Sequence, residues 1–387
     1  MSFSICTIKK YIENNYRELI ALCFFTGLFI RILALIILPD NSFPDSRTYA
    51  LSGQELFKNG QISSDIVMPL YPIVNFLFGG IHGVKIFDIL ISSLTTVLLS
   101  MVSLKIYNCK TTSFFSALIL SFYPHSIFYS ISALTETLFV FSFLLSIYFF
   151  YSRNYLTGSI FFVLGVLIRP TFDYLALVVI FLFVYIVHKR NLIYFSKVAL
   201  GYIAIYCVIM SLWWVHNYQK FSTFVRLNLG DGVVLYSGNN PMNNSGGGIA
   251  GIDVDLSAYK KIEDPLIRNK KLKEDAIEFI LHNPLKTIKL SFEKFLRFWR
   301  IWPYAPEYQQ FHIKIISLLS YGAMLMLGFF YFYRISSSEL RLISPLIFSI
   351  IYLTAIHMLT IGSIRYRYPI EPFLIIFASR WMSKYFI

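Results

Sequence analysis

Between Glu18 and Leu38 the chain carries an apolar run of the length a helix needs to cross a bilayer, since about 20 residues span the ~30 Å hydrocarbon core. Comparable runs recur at 86–107, 112–131, 134–151, 156–168, 172–187, 195–215, 312–333, 342–361 and 368–386. A chain so patterned is expected to be an all-α polytopic membrane protein. The overall balance agrees: 56% hydrophobic and 14% charged residues depart from the usage of a soluble domain in both directions. The net charge of +13 lies between apolar runs rather than on one polar face, which points to topology and anionic membrane lipid and away from nucleic acid. Phe and Tyr, 38 and 27 residues, suit lipid-facing surfaces and interfacial belts. The four cysteines carry no disulfide or metal-ligand spacing, and no His/Cys/Asp grouping resembles a zinc site. The first run is too long for a cleavable signal.

Lys9, Lys10 and Arg17 precede the first run, which predicts a cytoplasmic N-terminus and places Asp45 outside. Residues 68–81 contain Pro69, Pro72, Gly79 and Gly80 and are short for a span. If they do not cross, Lys105, Lys110, Arg153, Lys189, Arg190, Arg334, Arg341 and Lys384 all face the cytoplasm; if they do, every one flips against the positive-inside bias. The expectation is therefore about ten transmembrane helices, eleven being the alternative, with external juxtamembrane helices. In that arrangement residues 1–215 form an N-terminal membrane module with a first external loop at 39–85. Residues 216–311 form a long extracytoplasmic loop, and 312–387 the C-terminal spans. Ser46 to Asn59 reads as a short surface helix stopped by Gly60, and 270–300 as an amphipathic helix lying on the outer surface.

With this topology Asp45, Glu136, Arg169, Arg365 and Arg367 share one membrane face. Ionisable groups at membrane depth are costly and usually face a cavity or a partner. Each also has a plain reading. Asp45 and Glu136 suit helix starts, where a carboxylate favours the dipole. Arg47 suits a snorkelling anchor, Asp65 a turn, and Arg169 before Pro170 an interfacial anchor. The glycine-rich stretch holding Asn239 and Asn240 is either a substrate-contacting loop or a flexible tether. It lacks the Gly-Lys-Ser/Thr ending of a P-loop.

Several motifs taken in order resemble the GT-C membrane glycosyltransferases. They are Asp45 with Tyr49 four residues on; Pro69-Leu70-Tyr71-Pro72; Ser132-Ala133-Leu134-Thr135-Glu136 after Pro124; Gly165 to Pro170; Trp214-Val215-His216-Asn217 leading to Tyr236 through Pro241; and Arg365 to Pro372. The branch most similar contains the protein O-mannosyltransferases and the lipid A aminoarabinose transferase, and the resemblance runs nearly end to end. It implies a GT-C-like bundle and an inverting transfer of a sugar from a polyprenyl-phosphate donor to a glycan, lipid or protein acceptor, in a bacterial plasma membrane. The first-loop acid, here Asp45, would be the catalytic base. Members often carry a second acid beside it, where this chain has Ser46; Asp65 and Glu136 are the candidates to supply that charge.

Arg47, Arg169, Arg365 and Arg367 suit a donor phosphate, because a guanidinium stays charged and offers paired donors. Tyr49, Asp65, Glu136, Asn239 and Asn240 complete the candidate substrate contacts. No cofactor is predicted, and the sequence leaves a divalent cation open. The competing readings are a polymerase or ligase of lipid-linked glycans and, from another class, a transporter. The latter would show internal repeats with a midplane site, and no repeat is visible.

Overall fold

The computed structural model describes residues 5–39, 43–305 and 308–385. Among them the secondary structure is helical apart from one isolated bridge between Ala250 and Val254. Six helices are long and apolar enough to cross a membrane: Tyr16–Ile37, Ile81–Tyr107, Pro170–Val187, Leu192–Phe221, Phe311–Tyr333 and Ser337–Leu359. A seventh arises if Pro124–Ser130 and Thr135–Tyr151, bent by 116° at their junction, count as one span. The protein is an integral membrane protein.

Ten runs were expected to span, and each is indeed occupied by helix. The difference lies in length. The runs at 112–131, 156–168 and 368–386 contain helices of 12 and 7, 12, and 15 residues, below the ~20 a span needs. Proline sets several of these breaks: Pro124 starts a new helix, and Pro170 forces Arg169 into an extended conformation (φ −138°, ψ 111°). Leu70–Leu77, within 68–81, has 8 residues and covers only about 12 Å.

Within lipid, helices gain little from burying apolar surface against one another, so close packing and interhelical hydrogen bonds hold the bundle. Ile81–Tyr107 and Lys110–Ser121 show this. Their contact is lined by buried Ser and Thr, and Ser113 Oγ donates to the Ser100 carbonyl at 2.6 Å while Ser116 Oγ donates to Ser103 Oγ at 3.1 Å. The apolar core centres on Thr135–Tyr151, whose Phe139, Leu144, Ile147 and Phe150 are fully buried. Arg31, in the second half of the first span, is buried with no carboxylate partner among the described residues. It donates instead to Ser92 Oγ (2.8 Å), Ser126 Oγ (2.7 Å) and the carbonyls of Gly27, Leu120 and Ser121. The last two belong to the C-terminal end of a helix, where a cation is favoured.

The expected helix over 270–300 is two helices, Pro265–His282 and Pro284–Trp299. Pro284 cannot donate to the preceding turn and holds Asn283 out of helical geometry (φ −128°, ψ 57°). Asp264 caps the first by accepting from Leu266 N at 2.7 Å, ahead of Pro265 in the first helical position. Leu281, Leu285, Ile288 and Phe292 are exposed, while Phe298 enters the core.

Candidate active site

Four helix ends meet at one place. Pro44–Asn59 begins with proline in its first turn and ends at Gly60 in the left-handed conformation (φ 75°). Its Ser46 Oγ donates to the Ser132 carbonyl at 2.9 Å, fastening this helix to the sharp turn that precedes Thr135–Tyr151. Arg169 stands in the break before Pro170, and the Leu167 carbonyl next to it accepts from Leu70 N at 3.1 Å. Arg365 lies in the one-turn helix Ile364–Arg367, capped by the Ser363 side chain. Ahead of that turn, Gly362 packs so closely on Pro284–Trp299 that a Cβ would sit 2.4 Å from the Lys294 carbonyl oxygen. Only glycine permits that approach.

These ends carry a continuous chain of charge. Arg365 Nη1 donates to Asp45 Oδ2 at 2.6 Å, and Arg365 Nε donates to Glu136 Oε1. Arg169 Nη2 donates to the same Glu136 oxygen at 2.5 Å, and its Nε donates to Thr135 Oγ1 at 3.0 Å. Glu136 is fully buried, Arg169 and Arg365 are mostly buried, and the Asp45 side chain is 48% exposed. The cluster therefore opens at Asp45. Burial alone would lower the pKa of Arg365, but Glu136, Tyr49 and Asp45 together raise it well above the ordinary value. Burial likewise pushes the Tyr49 phenol up. Tyr49 packs edge-on against Tyr71 at 5.3 Å, and the Tyr71 hydroxyl donates to buried Asp88 Oδ2 at 2.7 Å.

Neither Asp45 nor Glu136 sits at an N-cap position; those belong to Phe43 and Leu134, which make no side-chain cap bond. Both carboxylates are turned toward arginine. Among the described residues no group of three or more His, Cys, Asp or Glu is arranged to hold a metal, and in this cluster the positive charge between the carboxylates is the Arg365 guanidinium.

Other candidates lie elsewhere. Arg367 is fully enclosed, with Nε on Glu371 Oε1 (2.7 Å), Nη1 on the Phe298 and Arg300 carbonyls, and its plane over Tyr321. Its partners are thus separate from the Asp45–Arg365–Glu136–Arg169 cluster. Asp65 pairs with Lys220 (2.8 Å) and Arg268 (3.0 Å), joining the first loop to two later helices. Asn239 and Asn240 are buried and hold backbone: Asn239 donates to the Leu359 carbonyl at 2.8 Å, and Asn240 to the Asp253 carbonyl at 3.0 Å. Arg47 is exposed and has no ion-pair partner among the described residues.

Thr135, quoted only as part of a motif, and Asp88 were not singled out from the sequence. A lone aspartate inside the 86–107 run was the available signal for the second.

No protein-family model matches the chain, and no curated protein matches it in sequence. Among solved structures, the oligosaccharyltransferase AglB of Archaeoglobus fulgidus, in complex with an inhibitory peptide and a dolichol-phosphate, matches with a TM-score of 0.61 at 12% identity, over 96% of this chain and 50% of that one. The apo form of the Archaeoglobus fulgidus oligosaccharyltransferase matches with a TM-score of 0.59 at 12% identity, over 95% and 50%. This chain thus spans about half the length of the structures it matches. At that identity the likeness is one of fold, and the fold is GT-C-like.

Proposed function

We propose that this protein is an inverting glycosyltransferase that moves a sugar from a polyprenyl-phosphate donor to an acceptor hydroxyl at the extracytoplasmic membrane face. The observation that carries this reading is the Asp45–Arg365–Glu136–Arg169 chain, in which the only half-open member is a carboxylate. Asp45 Oδ2 is engaged by Arg365, and Oδ1 stands outside that bond. Oδ1 takes the proton of the acceptor hydroxyl while the hydroxyl oxygen attacks C1 of the sugar; the bond from C1 to the phosphate oxygen breaks, and polyprenyl phosphate leaves with the electron pair. Attack opposite the leaving group inverts C1.

Charge grows on the phosphate during that step, and cations held in a partly dry site stabilise it. Arg365 and Arg169 each keep one terminal nitrogen outside their bonds to Glu136, Asp45 and Thr135, and these are the donors for the phosphate oxygens. Glu136 orients both guanidinium groups. Arg367 is given no part in it. The dolichol-phosphate present with the similar AglB supports a lipid phosphate as the donor carrier.

The test is transfer by the purified protein in nanodiscs from polyprenyl-phosphate sugars to envelope acceptors, with Asp45→Asn as control. Wild-type transfer that Asp45→Asn lacks supports the reading. Full activity of Asp45→Asn favours instead a polymerase or ligase of lipid-linked glycans, chemistries that proceed without a first-loop base.

A further inference from the structure

Separate from the cluster is a cavity of about 560 Å³ that none of Asp45, Glu136, Arg169 or Arg365 lines. Its walls are the glycine-rich segment, through Asn244, Ser245 and Asp253, and the end of Pro284–Trp299 with the following turn, through Arg297, Arg300 and Tyr304. The volume falls within the roughly 300–1,000 Å³ of small-molecule sites.

The wall is built, not loose. Asn243 Nδ2 donates to the Ser237 and Gly247 carbonyls (2.8 and 2.7 Å), and its Oδ1 accepts from Gly246 N at 2.9 Å. Asp253 accepts from Ser245 Oγ at 2.6 Å and Ile249 N at 2.9 Å. Gly246 has φ 73°, and a Cβ there would meet the Lys294 backbone at 2.8 Å. The segment is thus pinned against the helix, contrary to a flexible tether.

Two arginines face the cavity around one ring: Arg297 lies 3.7 Å and Arg300 5.2 Å from the Tyr304 centroid. Neither is in an ion pair among the described residues; Arg297 donates to Ser245 Oγ at 3.0 Å. Opposite charge is present in Asp253 and Glu293, so the wall mixes strong donors, carboxylate acceptors, an amide and an aromatic ring, with Met242, Ile252 and Leu296 as apolar floor. A hydroxyl is the group that both donates and accepts, and a surface offering both partners around an aromatic platform matches a polyhydroxylated ligand better than a simple anion.

The cavity is also tied to the cluster. Arg297 Nε donates to the Gly362 carbonyl at 3.3 Å, and Gly362 N donates to the Gly246 carbonyl at 3.0 Å. Gly362 precedes Arg365 by three residues, which limits their Cα separation to about 11 Å. Resting on the transferase reading above, we infer that this cavity binds the acceptor and that the acceptor is a saccharide, held by the Arg297, Arg300, Asp253 and Tyr304 wall with its hydroxyl directed toward Asp45.

The test uses the full chain in nanodiscs on an array of immobilised neutral, amino and acidic saccharides, alongside binding of a polyprenyl-phosphate sugar. Wild type should retain a restricted set of saccharides. Tyr304→Ala and Asn244→Trp, the latter filling the cavity from an exposed position, should weaken that retention at least about tenfold with donor binding unchanged. Donor binding without saccharide retention, or retention unaltered in both variants, overturns the inference and leaves the transferase reading standing. Cavity-dependent saccharide retention without donor binding sinks the transferase reading and with it the acceptor role.

Discussion

Arg365 and Asp45 stand 320 residues apart in the chain and 2.6 Å apart in space, joining the C-terminal part of the bundle to the first loop. Through the second nitrogen of the same guanidinium the link continues to Glu136. The carboxylate proposed as the base is therefore held by a residue from the far end of the chain.

Asp45→Asn keeps the size of the side chain and a possible bond partner but removes the basic oxygen. Turnover should fall about 10²–10⁴-fold while donor affinity holds. Asp45→Glu moves the carboxylate by one methylene and should also be impaired, since proton abstraction depends on ~3 Å geometry. Near wild-type turnover by the Asn variant would end the base assignment.

Arg365→Ala and Arg367→Ala should separate. Loss of a charged hydrogen bond costs roughly 1.5–3 kcal/mol, so Arg365→Ala should weaken donor binding about 10- to 150-fold. Arg367→Ala leaves Glu371 buried without its arginine and should destabilise by about 3–5 kcal/mol, with donor affinity of the folded fraction unchanged. Equilibrium binding and thermal unfolding of both variants decide this.

Glu136→Gln leaves two mostly buried guanidinium groups without the carboxylate they share. Stability should drop by about 3–5 kcal/mol, and the donor site should lose order with it. A variant as stable as wild type in detergent would show that Asp45 alone balances the pair.

Lys294 supplies a pH signature outside the spans. Its ammonium is buried, donating to Asn239 Oδ1 at 2.9 Å, and burial lowers its pKa from 10.5 to about 8. Below pH 8 the group is charged in folded and unfolded chains alike, and the folded state carries the full cost. Between pH 8 and 10.5 the folded chain loses the proton while the unfolded chain keeps it, so stability rises with pH, by at most about 3 kcal/mol. Lys294→Met should lack this rise. The measurement is the difference between the two unfolding curves from pH 7 to 10.5.

Topology is checked by labelling single cysteines at exposed positions 244 and 190 in a background without native cysteines. Asn244→Cys should react with an impermeant reagent in intact cells, and Arg190→Cys only after permeabilisation. Equal external labelling of both would overturn the orientation.

Much of the local structure was legible because its causes are local. Gly60 stops one helix and apolar runs locate the membrane helices, since a left-handed glycine and burial in lipid act within a few residues, whereas the starts at Pro44 and at Asp264–Pro265 came only with the structure. The same reasoning singled out Asp45, Glu136, Arg169 and Arg365 as ionisable groups at the ends of apolar runs. Which of them meet was another matter. Arg365 and Arg367 look equivalent as text, yet in a helix two residues differ by about 200° around the axis, so one guanidinium faces Asp45 and Glu136 while the other is driven into the core against Glu371. Asp65 and Glu136 stand alike in the sequence as candidate second acids, and only the folded chain shows that Asp65 pairs with Lys220 and Arg268 while Glu136 pairs with Arg169 and Arg365. Contacts between residues hundreds of positions apart depend on how helices pack and where prolines break them, and only the tertiary structure carries that information.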